Sequence, residues 1–219
     1  MSPPGLLVRG ILSPYDRAAE VLFGLIMALT ITGALNVASA TEQETRTLFV
    51  STLACNVAWG FVDAVMYVLN EVLGRGRALL VDRAFREGSD PAQLRALLAE
   101  VLPEPVAEGM SAAGLEAVRR TVAAHPGLRA PARVQGQDLL GALGVFLLVV
   151  AATFPVAVPF LALSDVALAK MVSRGLALAL LFAGGYRLGR YSGVGPVWMG
   201  LAMLGIGAVL VAVVTALGG

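Results

Sequence analysis

Residues 21–40, 139–163 and 194–217 carry no charged side chain at all. A helix rises about 1.5 Å per residue, so about 20 apolar residues match the hydrocarbon core of a bilayer, roughly 30 Å thick. Runs this long leave a water-soluble domain nowhere to bury them, and lipid is the solvent they fit. Two further runs belong with them. Residues 48–69 are interrupted by Asn56 and Asp63, and the shorter run 172–188 has Lys170 and Arg174 at its start, whose long stems can snorkel to the interface. Composition agrees: 14% of residues are charged, against about 25% in ordinary soluble domains. The pattern predicts an all-α integral membrane protein with five transmembrane helices.

The net charge of +1 and the absence of a basic run interleaved with aromatics argue against a nucleic-acid partner. Cys55 is the single cysteine, so no disulfide can form within one chain and no thiolate zinc site can be built from it. It is expected to act as a small buried hydrophobe. Residues 1–12 have too short an apolar core for a secretory signal, so the first span is expected to be retained. Lysine occurs once, at Lys170, beside abundant Arg, Ala and Gly, a bias typical of a GC-rich bacterial genome. No nucleophile triad, phosphate-binding glycine loop or HExxH is present, and an enzyme is not expected.

Residues 74–138 differ in character, with charges every few positions and short amphipathic stretches between prolines and glycines. Three regions follow: a tail with helices one and two over 1–73, a helical insertion over 74–138, and helices three to five over 139–219. Inside the insertion, Asp90 before Pro91 opens a helix with Leu94, Leu97, Leu98 and Val101 on one face, ending before Pro103. Ser111 caps another that carries Leu115, Val118 and Val122 and stops at His125 and Pro126. Pro155 and Pro159 predict a kink in the third span, with neighbouring helices serving the freed carbonyls. Gly184, Gly185, Gly189, Gly200, Gly205 and Gly207 mark helices four and five for close approach. Thirteen of the sixteen basic residues fall on one side if the N-terminus is cytosolic, which predicts N-in, C-out and a cytosolic insertion.

An ionisable residue within a span costs on the order of 2.5 to 3.5 kcal/mol on insertion scales, so Asp63 needs a compensating role. Asn56 lies seven positions before it, nearly two helical turns, and shares its face. Glu20 stands at the cytosolic entrance of span one, with Thr30, Thr32 and Asn36 deeper. Glu20, Asn56 and Asp63 form the candidate transport path. Such oxygen groups suit protons or hard divalent cations, and Met27 and Met66 offer soft thioethers. The competing reading is hydrogen bonding across a helix interface, with methionine as filler. Glu100, Glu104 and Glu108 recur every four residues, but Pro103 and Pro105 break that helix. Brought together with Glu87 and Glu116 in a folded insertion, they would form an acidic metal site. The alternative is an ion-paired surface with the nine insertion arginines. His125 is placed to cap a helix C-terminus.

Two spans, a helical insertion and three spans marked by prolines and glycines resemble the vacuolar iron transporter family. The segment TFPVAVPFL (153–161) looks like that family's third span, and GGYRLGRYSGVGPVWMGLAMLGIGAVLVAVVTALGG its last two. FGLIMALTITGALNVA and CNVAWGFVDAVMYVL resemble spans one and two. The resemblance implies a homodimer of the bacterial cytoplasmic membrane that exchanges ferrous iron or manganese for protons, with no permanently bound cofactor. The pore would run between the two first spans, fed by a glutamate-rich cytosolic domain. Several of the family's ligand positions are replaced here. Phe23 stands before Gly24 in place of an aspartate, Asn56 in place of a glutamate four residues before Gly60, and Ala64 in place of a methionine. Asp63 and Met66, close by, would supply a relocated metal site together with Glu100, Glu104 and Glu108. The alternative is a non-transporting membrane sensor or scaffold that keeps the transporter fold.

Overall fold

A computed structural model describes residues 12, 14–34, 42–99, 102–125 and 133–217. The described residues are helical, with no strand among them. In chain order the helices are α1 (Pro14–Gly33), α2 (Glu42–Glu87), α3 (Pro91–Ala99), α4 (Glu104–Glu108), α5 (Ala112–Ala124), α6 (Gly136–Ala157), α7 (Pro159–Ala162), α8 (Val166–Ser192) and α9 (Pro196–Ala216). Among the described residues four stretches are long and apolar enough to cross a membrane: Phe49–Glu87, Gly136–Ala162, Val166–Ser192 and Pro196–Ala216. The chain is thus a multi-pass membrane protein by the length and hydropathy of its helices. The expected first span enters α1, but its residues 35–40 lie outside the described residues.

The chain divides into two compact units, residues 1–67 with 136–219 and residues 68–135. In the first, α1 packs against α6, α8 and α9. Its core joins Leu22, Leu25, Ala28 and Leu29 of α1 to Ala152 and Val156 of α6 and to Ala177 and Leu181 of α8. Glycine makes the α8–α9 contact close. A Cβ on Gly189 would stand 2.7 Å from the Pro196 Cα and 2.8 Å from the Gly195 carbonyl oxygen, and one on Gly200 would stand 2.9 Å from the Phe182 ring. Gly185 and Gly207 are equally tight against α9 and α8 side chains, whereas Gly184 faces Leu22 of α1 and Gly205 faces open space. The turn between α8 and α9 places Gly193 at φ 73° and Gly195 at φ 99°, a region that costs residues with a Cβ.

The prolines of the third expected span end α6 at Ala157 and start α7 at Pro159. Ser173 of α8 donates to the Val156 carbonyl at 2.6 Å, so a neighbouring helix serves a carbonyl beside the break. At the start of α8 the Asp165 carboxylate accepts from the Ala167 and Leu168 amides at 2.9 and 3.1 Å. Lys170 does not snorkel outward as expected: it is only 5% exposed and engaged by a partner.

The second unit comprises the C-terminal part of α2 with α3, α4 and α5. The sequence pattern placed the end of span two at Leu69 and a change of character at Gly74, but α2 runs through Gly74 and Gly76 without interruption. A lone glycine costs a helix only about 1 kcal/mol relative to alanine, and no proline intervenes. At 46 residues the helix is about 69 Å long, twice the hydrocarbon thickness. It ends in a left-handed Gly88 (φ 79°), with the Ser89 amide reaching back to the Ala84 carbonyl at 3.1 Å. Ala84, Phe85, Leu94 and Leu115 form the unit's core, with Leu97, Leu98, Val118 and Val122 packed on it.

Ion pairs are present as expected, Arg75–Glu71, Arg86–Asp82 and Arg119–Glu116, and the arginines have a further use. Arg86 pairs with Asp82 at 2.9 Å and also donates to the Val122 and His125 carbonyls at 2.8 and 3.0 Å, closing the end of α5. Arg95, Arg119 and Arg75 donate to the carbonyls of Met110, Ser89 and Arg133. Guanidinium forks are fitted to this work because helix ends leave carbonyls without intrahelical donors. Ser111 caps α5 through the Gly114 amide, and the His125 Nδ1 lies 2.7 Å from the Thr121 carbonyl.

Candidate functional site

The polar face of α2 is built by helical spacing. Thr52, Asn56, Gly60, Asp63 and Tyr67 are three or four positions apart and so share one face. Thr52 and Asn56 are wholly buried there. A Cβ on Gly60 would meet the Phe146 ring and carbonyl at 3.3 Å, and the Tyr67 ring lies over Gly141 of α6.

Asn56 joins three helices. Its Nδ2 donates to the Gly24 carbonyl of α1 at 3.1 Å and to the Thr153 Oγ1 of α6 at 2.5 Å. The Thr153 hydroxyl in turn donates to the Val149 carbonyl at 3.3 Å. Only a donor can face the Gly24 carbonyl, which determines the orientation of the amide. Gly24 is required on the α1 side, since a Cβ there would stand 2.7 Å from the Val149 carbonyl oxygen. The remaining acceptor, Asn56 Oδ1, is buried without a hydrogen-bond partner.

On the same face, Asp63 is half-buried, and its Oδ2 is buried with no hydrogen-bond donor. Glu20, one turn before Gly24 on α1, is close enough to Asp63 and Asp16 to feel the charge of both. No ion pair joins a basic side chain to Glu20 or Asp63 among the described residues. Between this acidic pair and the Asn56 junction, Phe23 of α1 meets Trp59 of α2 edge to face, with ring centroids 6.0 Å apart.

Of the expected path residues, Glu20 lies within reach of the Asp63 charge, while Asn56 contacts neighbouring helices. Thr30 and Thr32 donate to carbonyls of their own helix, Ile26 at 2.5 Å and Ala28 at 2.7 Å. Asn36 lies outside the described residues. Met66 is 48% exposed. Glu100 lies outside the described residues, as does the side chain of Glu104, and Glu108 is exposed at the end of α4. Glu116 pairs with Arg119 at 3.4 Å. Among the described residues no three His, Cys, Asp or Glu side chains converge as a metal site. Cys55 is half-buried and free.

Sequence reasoning missed Thr153. It is the one hydroxyl in residues 139–163, and that isolation was the available signal. The Gly24 carbonyl had none, because a backbone group reveals its partner only once helices are packed. Compared with known proteins, the sequence matches no family model and no curated protein.

Proposed function

We propose that this protein is a cation transporter of the bacterial cytoplasmic membrane, with Glu20 and Asp63 as the groups that take up the cation or proton. The observation that carries this reading is a carboxylate on α1, Glu20, within reach of the charge of a half-buried carboxylate on α2, Asp63, with no ion-paired basic side chain at either among the described residues. Two carboxylates in an apolar bundle cannot both stay charged without cost unless they share a proton or a cation. Occupation by one and release to the other is the elementary step of an exchanger.

The resemblance to vacuolar iron transporters supports ferrous iron or manganese as substrate, proton coupling, five spans with the N-terminus in, and a homodimer. Two carboxylates are too few for a hard divalent ion, which takes about six oxygen ligands, so water or a second copy would supply the rest. In this reading Asn56 holds α1, α2 and α6 in register and the cation passes along the Glu20–Asp63 side.

The test is flux in proteoliposomes that contain a pH-sensitive dye. Wild-type protein is expected to move protons against an imposed manganese or ferrous gradient, and Asp63→Asn and Glu20→Gln each to reduce this at least about tenfold. Wild-type flux that Asp63→Asn leaves unchanged overturns the assignment. A second reading, a non-transporting sensor or scaffold, is favoured by the Phe23–Trp59 contact and by the use of Asn56 as a bridge. Wild-type flux equal to that of empty liposomes would select it.

A further inference from the structure

A second polar feature of the bundle is basic. Arg17 of α1 and Arg187 and Tyr191 of α8 line one groove of about 410 Å³ with Ala18, Val21 and Leu148. Helical spacing explains the convergence: Gly184, Arg187 and Tyr191 fall three and four positions apart on one face of α8, as Arg17 and Val21 do on α1. Gly184 opens the space, with a Leu22 methyl 2.8 Å from where its Cβ would stand. Neither arginine has an ion pair or hydrogen bond among the described residues, although Glu20 is three positions from Arg17, an ion-pairing distance on a helix. Two bare guanidiniums therefore sit over an apolar floor.

We infer that this groove binds an anionic phospholipid, its phosphodiester held between Arg17 and Arg187 and its first acyl carbons lying on Val21 and Leu148. Charge complementarity selects the headgroup: guanidinium forks match phosphate oxygens bidentately, and the Tyr191 phenol offers a further donor. A free phosphate would satisfy the arginines but leave the apolar floor wet. Mixed lining of this kind fits a molecule that is charged at one end and hydrocarbon beyond. The inference rests on the membrane reading alone, and holds whether or not the protein transports anything.

The test uses the full-length protein in a neutral detergent, titrated with phosphatidylglycerol, phosphatidylcholine or inorganic phosphate and read by native mass spectrometry. Phosphatidylglycerol is expected to bind in preference to phosphatidylcholine. R17Q/R187Q should weaken it at least about tenfold, from roughly 1 kcal/mol per basic residue at an anionic surface. R17K/R187K should retain part of the preference, and Arg190→Gln, outside the groove, should keep it. Melting curves of each variant without lipid establish that it is folded. Equal affinity for the two lipids, an unaltered preference in R17Q/R187Q, an equal loss in Arg190→Gln, or competition by millimolar phosphate as strong as that by lipid would each overturn the inference.

Discussion

Asn56 carries the clearest lesson at the scale of single residues. A polar side chain in a span invites a functional reading, yet its amide protons are both spent, on Gly24 and Thr153. Interhelical hydrogen bonds in membranes are worth about 0.6 kcal/mol on average and up to about 1.7. Asn56→Leu and Thr153→Val should each destabilise the fold by about 1 kcal/mol in a reversible denaturation assay. The double variant should cost less than the sum, because both single changes break the same bond. Strict additivity would mean that the two residues are not coupled. Asp63 differs, since its Oδ2 has no donor and its charge is felt by Glu20 on α1. That it was unusual was legible from its place in an apolar run; that its counterpart is Glu20 required α1 and α2 to be packed together.

At the scale of elements, the glycines separate by environment. All six that marked helices four and five have the same composition signal, but only some face the partner helix. Gly189→Ala drives a Cβ into the backbone of Pro196 and Gly195, which cannot move aside as a side chain would, and should cost about 1 to 3 kcal/mol. Gly205→Ala, with nothing within 4 Å, should be neutral or stabilise by up to about 1 kcal/mol. The two variants compared in the same denaturation series give the check, and equal effects would contradict the packing. Helix ends were more readable: Ser111 caps α5 and proline starts α3, because capping is a local matter of a few residues. The continuity of α2 through Gly74 was not. A change in polarity resembles a helix end in sequence, although it is only a change in what surrounds the helix.

For the molecule as a whole, the decisive feature is the amount of apolar surface that the fold leaves uncovered. Trp198 is 71% exposed, Phe61 65% and Val209 61%, all on helices long enough to span a bilayer. At about 25 cal/mol per Å² such surfaces would be costly in water and cost nothing in lipid. In the proposed topology of five spans with the N-terminus inside, residues 2 and 219 would lie on opposite faces. In a Cys55→Ser background, Ser2→Cys should therefore react with a membrane-impermeant maleimide only from the cytosolic side and Gly219→Cys only from the other. Labelling of both from one side would mean an even number of spans and would take residues 21–40 out of the bilayer.

What the sequence determined by itself was solvent and periodicity: uncharged runs of bilayer length, the positions of prolines and caps, and an acid where acids are expensive. These are properties of single segments, and each is written where it acts. Tertiary structure decided which polar groups meet. It joined Asn56 to Thr153 across ninety-seven positions, brought Glu20 within reach of the Asp63 charge, turned Lys170 inward, and left Arg17 and Arg187 bare over one groove. The reason is that a hydrogen bond or a charge interaction depends on distance in space, and the helix faces that set those distances are chosen by packing among glycines and leucines that carry no polar signal of their own.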